Sequence, residues 1–199
     1  VFHAIATAYA NGAALVASGG AAAALSGVMI AGGTTLEALR YGVASDVGHQ
    51  GLVIQEGVGL FNTGIADQNI MSGRRLGRLV VACVENNERF GIGVCEESAV
   101  IAVKSGIELR AAGRHGFIKV ETDPVKTAPT GDRFMARGIR VRMFGPGDRL
   151  NLLSGHVERR CPPGPAKAVF DHLLADLMRD CDVLGAVSYT HLRAHETHH

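Results

Sequence analysis

There is no tryptophan in this chain, and aromatic residues make up only 5% of its 199 positions. So few aromatics, set against 26 glycines, suit an α/β protein with many tight strand-to-helix turns better than a β-sandwich. An excess of one charge is also missing: 20 Lys and Arg face 19 Asp and Glu, for a net +1. No global field therefore argues for nucleic acid or an anionic membrane as partner. No apolar run reaches the roughly 18 residues that a membrane span requires, and no signal peptide is visible. A soluble, cytoplasmic protein is expected. Cysteine is scarce and irregular: Cys83, Cys95, Cys161 and Cys181 form no CxxC pair and read as buried or incidental thiols in a reducing compartment. His3, His49, His115, His156 and His172 are isolated, and no P-loop, dinucleotide fingerprint or HExxH motif occurs. Neither a metal nor a cofactor is expected.

What is present is enough for one domain with a real core, since 47% of the residues are hydrophobic. The chain enters at once an amphipathic stretch, VFHAIATAYANG, which reads as a helix over residues 1–11 and as a start in mid-domain. Residues 13–17 are expected to form a short buried strand. Gly19-Gly20 then turns the chain into an apolar helix over residues 21–30. Next come loops around a short helix at 36–41, then a helix over 73–87 with apolar spacing at Leu76, Leu79, Val80 and Val84. Residues 90–94 and 100–103 look like two strands hinged at 95–98, and 108–120 fits a hairpin. Residues 140–144 form a strand running into the turn Gly145-Pro146-Gly147-Asp148. The domain is placed at 1–160, a Pro/Gly linker at 161–165 and a C-terminal helix at 166–187. Residues 188–199 read as a non-native tail outside the fold.

Three stretches carry chemistry. Residues 12–30, GAALVASGGAAAALSGVMI, have the form of a strand ending in a tight turn before a helix. Such a turn can expose a nucleophile and aim backbone N–H groups at a developing oxyanion. Residues 67–79, DQNIMSGRRLGRL, place an Asp-Gln pair ahead of clustered arginines, and cations at a helix start oppose the helix dipole unless something else holds them there. Residues 91–99, GIGVCEESA, put Glu96 in the loop between two strands; alone, Glu96-Glu97 is an ordinary solvated pair.

In combination these stretches resemble the cyanophycinase family of α/β serine peptidases, over about residues 1–155. The family shows Gly-Thr-Ser-Ala-Gly-Ala at the nucleophile turn, Asp-Gln-His-Phe with spaced arginines in the second stretch, and Gly-Ile-Gly-Ile-Asp-Glu-Asp-Thr-Ala in the third. Residues 138–152, GIRVRMFGPGDRLNL, are similar to its closing strand and turn. The resemblance implies a three-layer α/β sandwich with a mostly parallel sheet, of the class I glutamine-amidotransferase-like type, here lacking its N-terminal strands. It also implies hydrolysis of cyanophycin or aspartyl peptides by a serine, a histidine and an acid, and a dimer. In ungapped register Gly19 takes the place of the serine, Asn69 that of the histidine, and Glu96 that of the acid. Glycine cannot attack, and an amide cannot accept a proton at useful pH. Asp67, Gln68, Arg75 and Arg78 fall where the family shapes its substrate pocket.

A non-catalytic homologue that still binds an aspartyl or arginyl peptide is therefore the first expectation. The alternatives are a live hydrolase using Ser18 or Cys95, a structural or regulatory subunit paired with an active homologue, and a decayed fragment. The Ser18 reading needs a one-residue slip within the following helix, which would turn its apolar face by about 100°.

Overall fold

A computed structural model describes residues 2–44, 48–103, 107–122 and 138–158, together with Ala136, His172, Ala175 and Asp176. The linker, the terminal helix and the tail expected after residue 160 lie outside these residues, those last three excepted. The described chain is mixed α/β. Its centre is a strand–helix–strand unit: β3 (Ile65–Gln68), α4 (Leu76–Glu85) and β4 (Phe90–Val94). β3 and β4 pair in parallel, with Gln68 opposite Val94.

Two antiparallel strands, β7 (Phe117–Glu121) and β8 (Arg140–Phe144), extend this into a four-stranded sheet of order β3-β4-β7-β8. The mostly parallel sheet expected from the sequence is not found among the described residues. Within this sheet, among the described residues, only the β3–β4 connection carries a helix, and parallel neighbours need such a long crossover, whereas antiparallel ones do not. β5 (Ser98–Val103), β6 (Glu108–Gly113), β9 (Arg149–Asn151) and β10 (Val157–Glu158) form a second sheet, antiparallel throughout, of order β10-β9-β6-β5. The expected hairpin over 108–120 is thus two strands in different sheets: β6 pairs with β5 and β9, and β7 with β4 and β8.

Alternation along the strands assigns the two cores. Ile118, Val120, Val141 and Met143 face α4, which is buried along nine of its ten residues, from Leu76 to Val84. The opposite face carries Phe90, Ile92, Phe117 and Phe144 against Leu109, Ala111 and Leu150 of the second sheet. Phe117 and Phe144 stack there with ring centroids 4.7 Å apart. The Gly-Ile-Gly run of β4 has a packing cause. A Cβ on Gly91 would lie 2.7 Å from Cys83 Sγ, and one on Gly93 2.7 Å from Ile70 Cγ1.

Before this unit come α1 (Phe2–Ala10), α2 (Gly20–Ala24), β1 (Val28–Gly32), α3 (Thr35–Tyr41) and β2 (Val53–Glu56). Residues 13–17 form neither a helix nor a strand, and Val16 is 91% exposed. An apolar run becomes a buried strand only beside a partner strand, and among the described residues none pairs with it. The helix expected over 21–30 stops at Ala24, because Ser26-Gly27 breaks it. There the Ser26 hydroxyl accepts the Ala66 N–H at 2.8 Å, and Val28, Met29 and Ile30 pair with β2 instead. The short helix α3 opens on a capping box between Thr34 and Glu37. No helix among the described residues is long and apolar enough to cross a membrane.

Candidate functional site

Two parallel neighbours end at the same carboxyl edge of the sheet, and at that edge α/β proteins build their sites. Asn69 lies just past the end of β3, and Cys95-Glu96 just past the end of β4, so the fold brings these two stretches to one edge. The turn from Asn69 to Arg75 folds back over it. Asn69 and Arg74 both hold left-handed backbone, at φ 52° and 50°. Ser72 donates both its N–H, at 2.8 Å, and its hydroxyl to Glu96 Oε1.

The second carboxylate oxygen of Glu96 is different. Oε2 is buried and meets no hydrogen-bond donor among the described residues. Burial pushes the Glu96 carboxyl up, but the hydrogen bonds from Ser72 and the backbone N–H groups around it outweigh this and leave it below the ordinary carboxylate value. Glu96 is therefore a half-buried anion with one side answered and one side open. Beside it, Ser98 Oγ donates to the Glu96 carbonyl at 3.0 Å and accepts the N–H groups of His115 and Gly116. One histidine thus shares the turn network of the acid.

Asp67 and Arg78 are placed otherwise than a substrate-binding role requires. Asp67 is 0% exposed and Arg78 7%. Arg78 Nε reaches Asp67 Oδ2 at 2.7 Å and Nη2 reaches Oδ1 at 2.6 Å, while Nη1 donates to the Gly33 carbonyl at 2.8 Å. The Gln68 N–H adds a further bond to Oδ1. This fork fixes the end of β3 against the first turn of α4 and occupies both oxygens of Asp67 within the chain. It also accounts for a cation near the helix start. Arg75 and Gln68 are half-buried: Arg75 Nη1 donates to the Gln68 carbonyl at 3.0 Å and to its side-chain oxygen at 2.5 Å. Arg74 is exposed, with its Nε 3.9 Å from Asp176.

Gly19 caps the start of α2 at φ 59°, ψ −135°, a combination that side-chain-bearing residues rarely adopt. A Cβ built there meets no atom within 4 Å, so the position opens onto free space. α2 packs on β3, but the backbone of Gly19 bonds only within its own turn, its carbonyl accepting the Ala22 N–H at 3.0 Å. Ser18 is exposed, in the segment without helix or strand just before the turn. Cys95 is 3% exposed, and burial together with the Glu96 charge pushes its thiol up to about 12. A thiol held there is protonated at neutral pH and is no nucleophile.

Two side chains that organise this edge carry no mark in the sequence patterns above. One is Ser72, which anchors Glu96. The other is Thr35, 6% exposed, whose hydroxyl donates to the Arg74 carbonyl and accepts the Arg78 N–H. For Thr35 a signal exists in the capping box beside it; for Ser72 there is none. Among the described residues no group of three or more His, Cys, Asp or Glu could hold a metal ion. No protein-family model matches the chain.

Proposed function

We propose that this chain is a non-catalytic relative of the cyanophycinase-like serine peptidases, built on a glutamine-amidotransferase-like scaffold and retaining an edge that takes an aspartyl or arginyl peptide. The observation that carries this reading is the buried, unanswered Oε2 of Glu96, beside a turn in which Asn69 replaces an imidazole. An acid that orients a histidine keeps one oxygen for the imidazole N–H, and an oxygen left over is what loss of that histidine produces. The backbone at Gly19 adds support. Its φ 59°, ψ −135° and open surroundings suit a nucleophile turn from which the hydroxyl is gone. Direct peptide contact is left to Gln68 and Arg75, because Asp67 and Arg78 saturate one another. A homodimer, or a pair with an active homologue in which this subunit is regulatory, belongs to the same proposal.

The test is single-turnover hydrolysis of cyanophycin and of a β-aspartyl-arginine peptide by the protein at its natural full length. The Gly19→Ser/Asn69→His double variant and Ser18→Ala are run beside it. The natural chain is expected to be inert, about 10⁶-fold below an intact serine–histidine pair, and the double variant to cleave. Cleavage by the natural chain that Ser18→Ala abolishes would overturn the proposal and make Ser18 the nucleophile.

A further inference from the structure

The second concentration of charge lies away from the carboxyl edge, on strands β7 and β8. Lys119 and Glu121 alternate along β7, as do Arg140 and Arg142 along β8, so each pair shares one face of the sheet. Arg89, just before β4, joins them. Together they line a cavity of about 240 Å³, closed on one side by the loop of Leu152 to Gly155.

The charges in this cavity do not balance. Four cations surround one carboxylate, and three of them are paired with it. Glu121 Oε2 takes Lys119 Nζ at 2.7 Å, and Oε1 takes Arg140 Nη2 at 2.9 Å and Arg89 Nη2 at 3.5 Å. Burial pushes the Glu121 carboxyl up, but Lys119 and Arg140 outweigh it and hold it at about 2. Glu121 is therefore an anion at neutral pH, and its ion pairs go to Lys119, Arg140 and Arg89.

Arg142 is the fourth cation. Its Nε is buried and has no hydrogen-bond partner among the described residues. Across the ladder its register partner is Lys119, which is only 2% exposed. Like charges directly opposite destabilise a sheet, and a buried N–H without an acceptor, here Arg142 Nε, adds its own desolvation cost. The pair two residues along each strand, Glu121 opposite Arg140, shows the complementary choice.

We propose that this cavity is a binding site for a compact, doubly charged oxyanion, with Arg142 and Lys119 as its principal donors and Arg140 and Arg89 at its mouth. Two negative charges offset most of the excess of three, and the guanidinium groups present paired N–H donors suited to oxyanion geometry. The site is separate from the Glu96 edge and does not rest on the reading given for that edge.

The experiment is a thermal-unfolding and calorimetric titration of the full chain with inorganic phosphate and, in a second arm, malonate. Both are run against chloride at matched ionic strength, with Arg142→Gln and Arg140→Gln alongside the wild-type sequence. Saturable one-site binding is expected for the wild type, weakened about tenfold or more by Arg142→Gln, as loss of a charge-assisted contact implies. In chloride alone Arg142→Gln should be no less stable than wild type, because the opposition to Lys119 is relieved. At saturating anion the order should reverse. Arg140→Gln, at the half-exposed mouth, keeps the test alive should the first variant fold poorly; it too should weaken binding. Binding of phosphate alone assigns a phosphoryl ligand, and binding of both anions assigns a dianion of either kind. No saturable binding by either anion, or equal stabilisation of the wild type and both variants, would overturn the proposal.

Discussion

Asp67 and Glu96 stand at the same edge of the same parallel pair, one near the end of β3 and one just past β4, and their hydrogen bonding differs. Every oxygen of Asp67 is answered, by Arg78 twice and by the Gln68 N–H. Glu96 has one oxygen held by Ser72 and one with no donor among the described residues. A buried carboxylate with all its acceptors filled is held as part of the scaffold, and one with an unfilled acceptor has room for a further donor. The difference separates the two acids more sharply than charge does, since the better buried of the two has every oxygen answered within the chain.

That contrast breaks most visibly if Asp67 is changed. Asp67→Asn removes the anion and leaves Arg78 charged at 7% exposure. Breaking one side of a buried pair typically costs about 3–5 kcal/mol, most of it from the charge left alone. Urea unfolding should show a loss of that order, and Arg78→Met, which leaves the carboxylate unpaired instead, a comparable one. A loss below about 1 kcal/mol for both would mean that water reaches the pair, and the closed fork would then be available to a ligand after all.

The next effect tests the platform on which both acids sit. Gly91→Ala drives a methyl to 2.7 Å from Cys83 Sγ and 3.0 Å from Leu79 Cγ, and overpacking of this kind costs about 1–3 kcal/mol. The same measurement on Gly20→Ala, where a Cβ meets nothing within 4 Å, should show no comparable loss. This contrast also shows how much can be read in advance. The Gly-Ile-Gly run is legible as a motif, but its cause is the closeness of α4, which no local pattern reveals.

Helix α4 and strands β4, β5 and β8 are legible from apolar runs bounded by turn residues. Residues 13–17 and 28–32 depart from what their composition suggests, since a short apolar run becomes strand, helix or exposed coil according to what lies beside it. At the edge, the convergence of Asn69 and Glu96 can be anticipated from strand ends. The Asp67–Arg78 fork and the Ser72 anchor cannot. They join residues 11 and 24 positions apart, and a hydroxyl or a guanidinium carries no periodic signal of its partner.

The smallest expected effect is at Glu96, and pH separates it from Asp67. Donors of the Ser72 turn leave the Glu96 carboxyl below its ordinary value of 4.5 in spite of burial. A folded-state value below the unfolded one means that the group stabilises the fold above about that ordinary value. The contribution then disappears as pH falls through the lower, folded value. Glu96→Gln should therefore unfold at a slightly lower urea concentration than the wild type at pH 7, by about 1 kcal/mol or less, the net worth of an ordinary hydrogen bond. The two curves should converge as the pH is lowered past 4.5. Asn69→His should widen the gap at pH 7, because the introduced imidazole gives Oε2 the donor it lacks, and the double change Asn69→His/Glu96→Gln should close it again. If Asn69→His shows no coupling to Glu96 in that cycle, the unanswered oxygen faces away from residue 69, and the acid at this edge was never arranged to hold an imidazole.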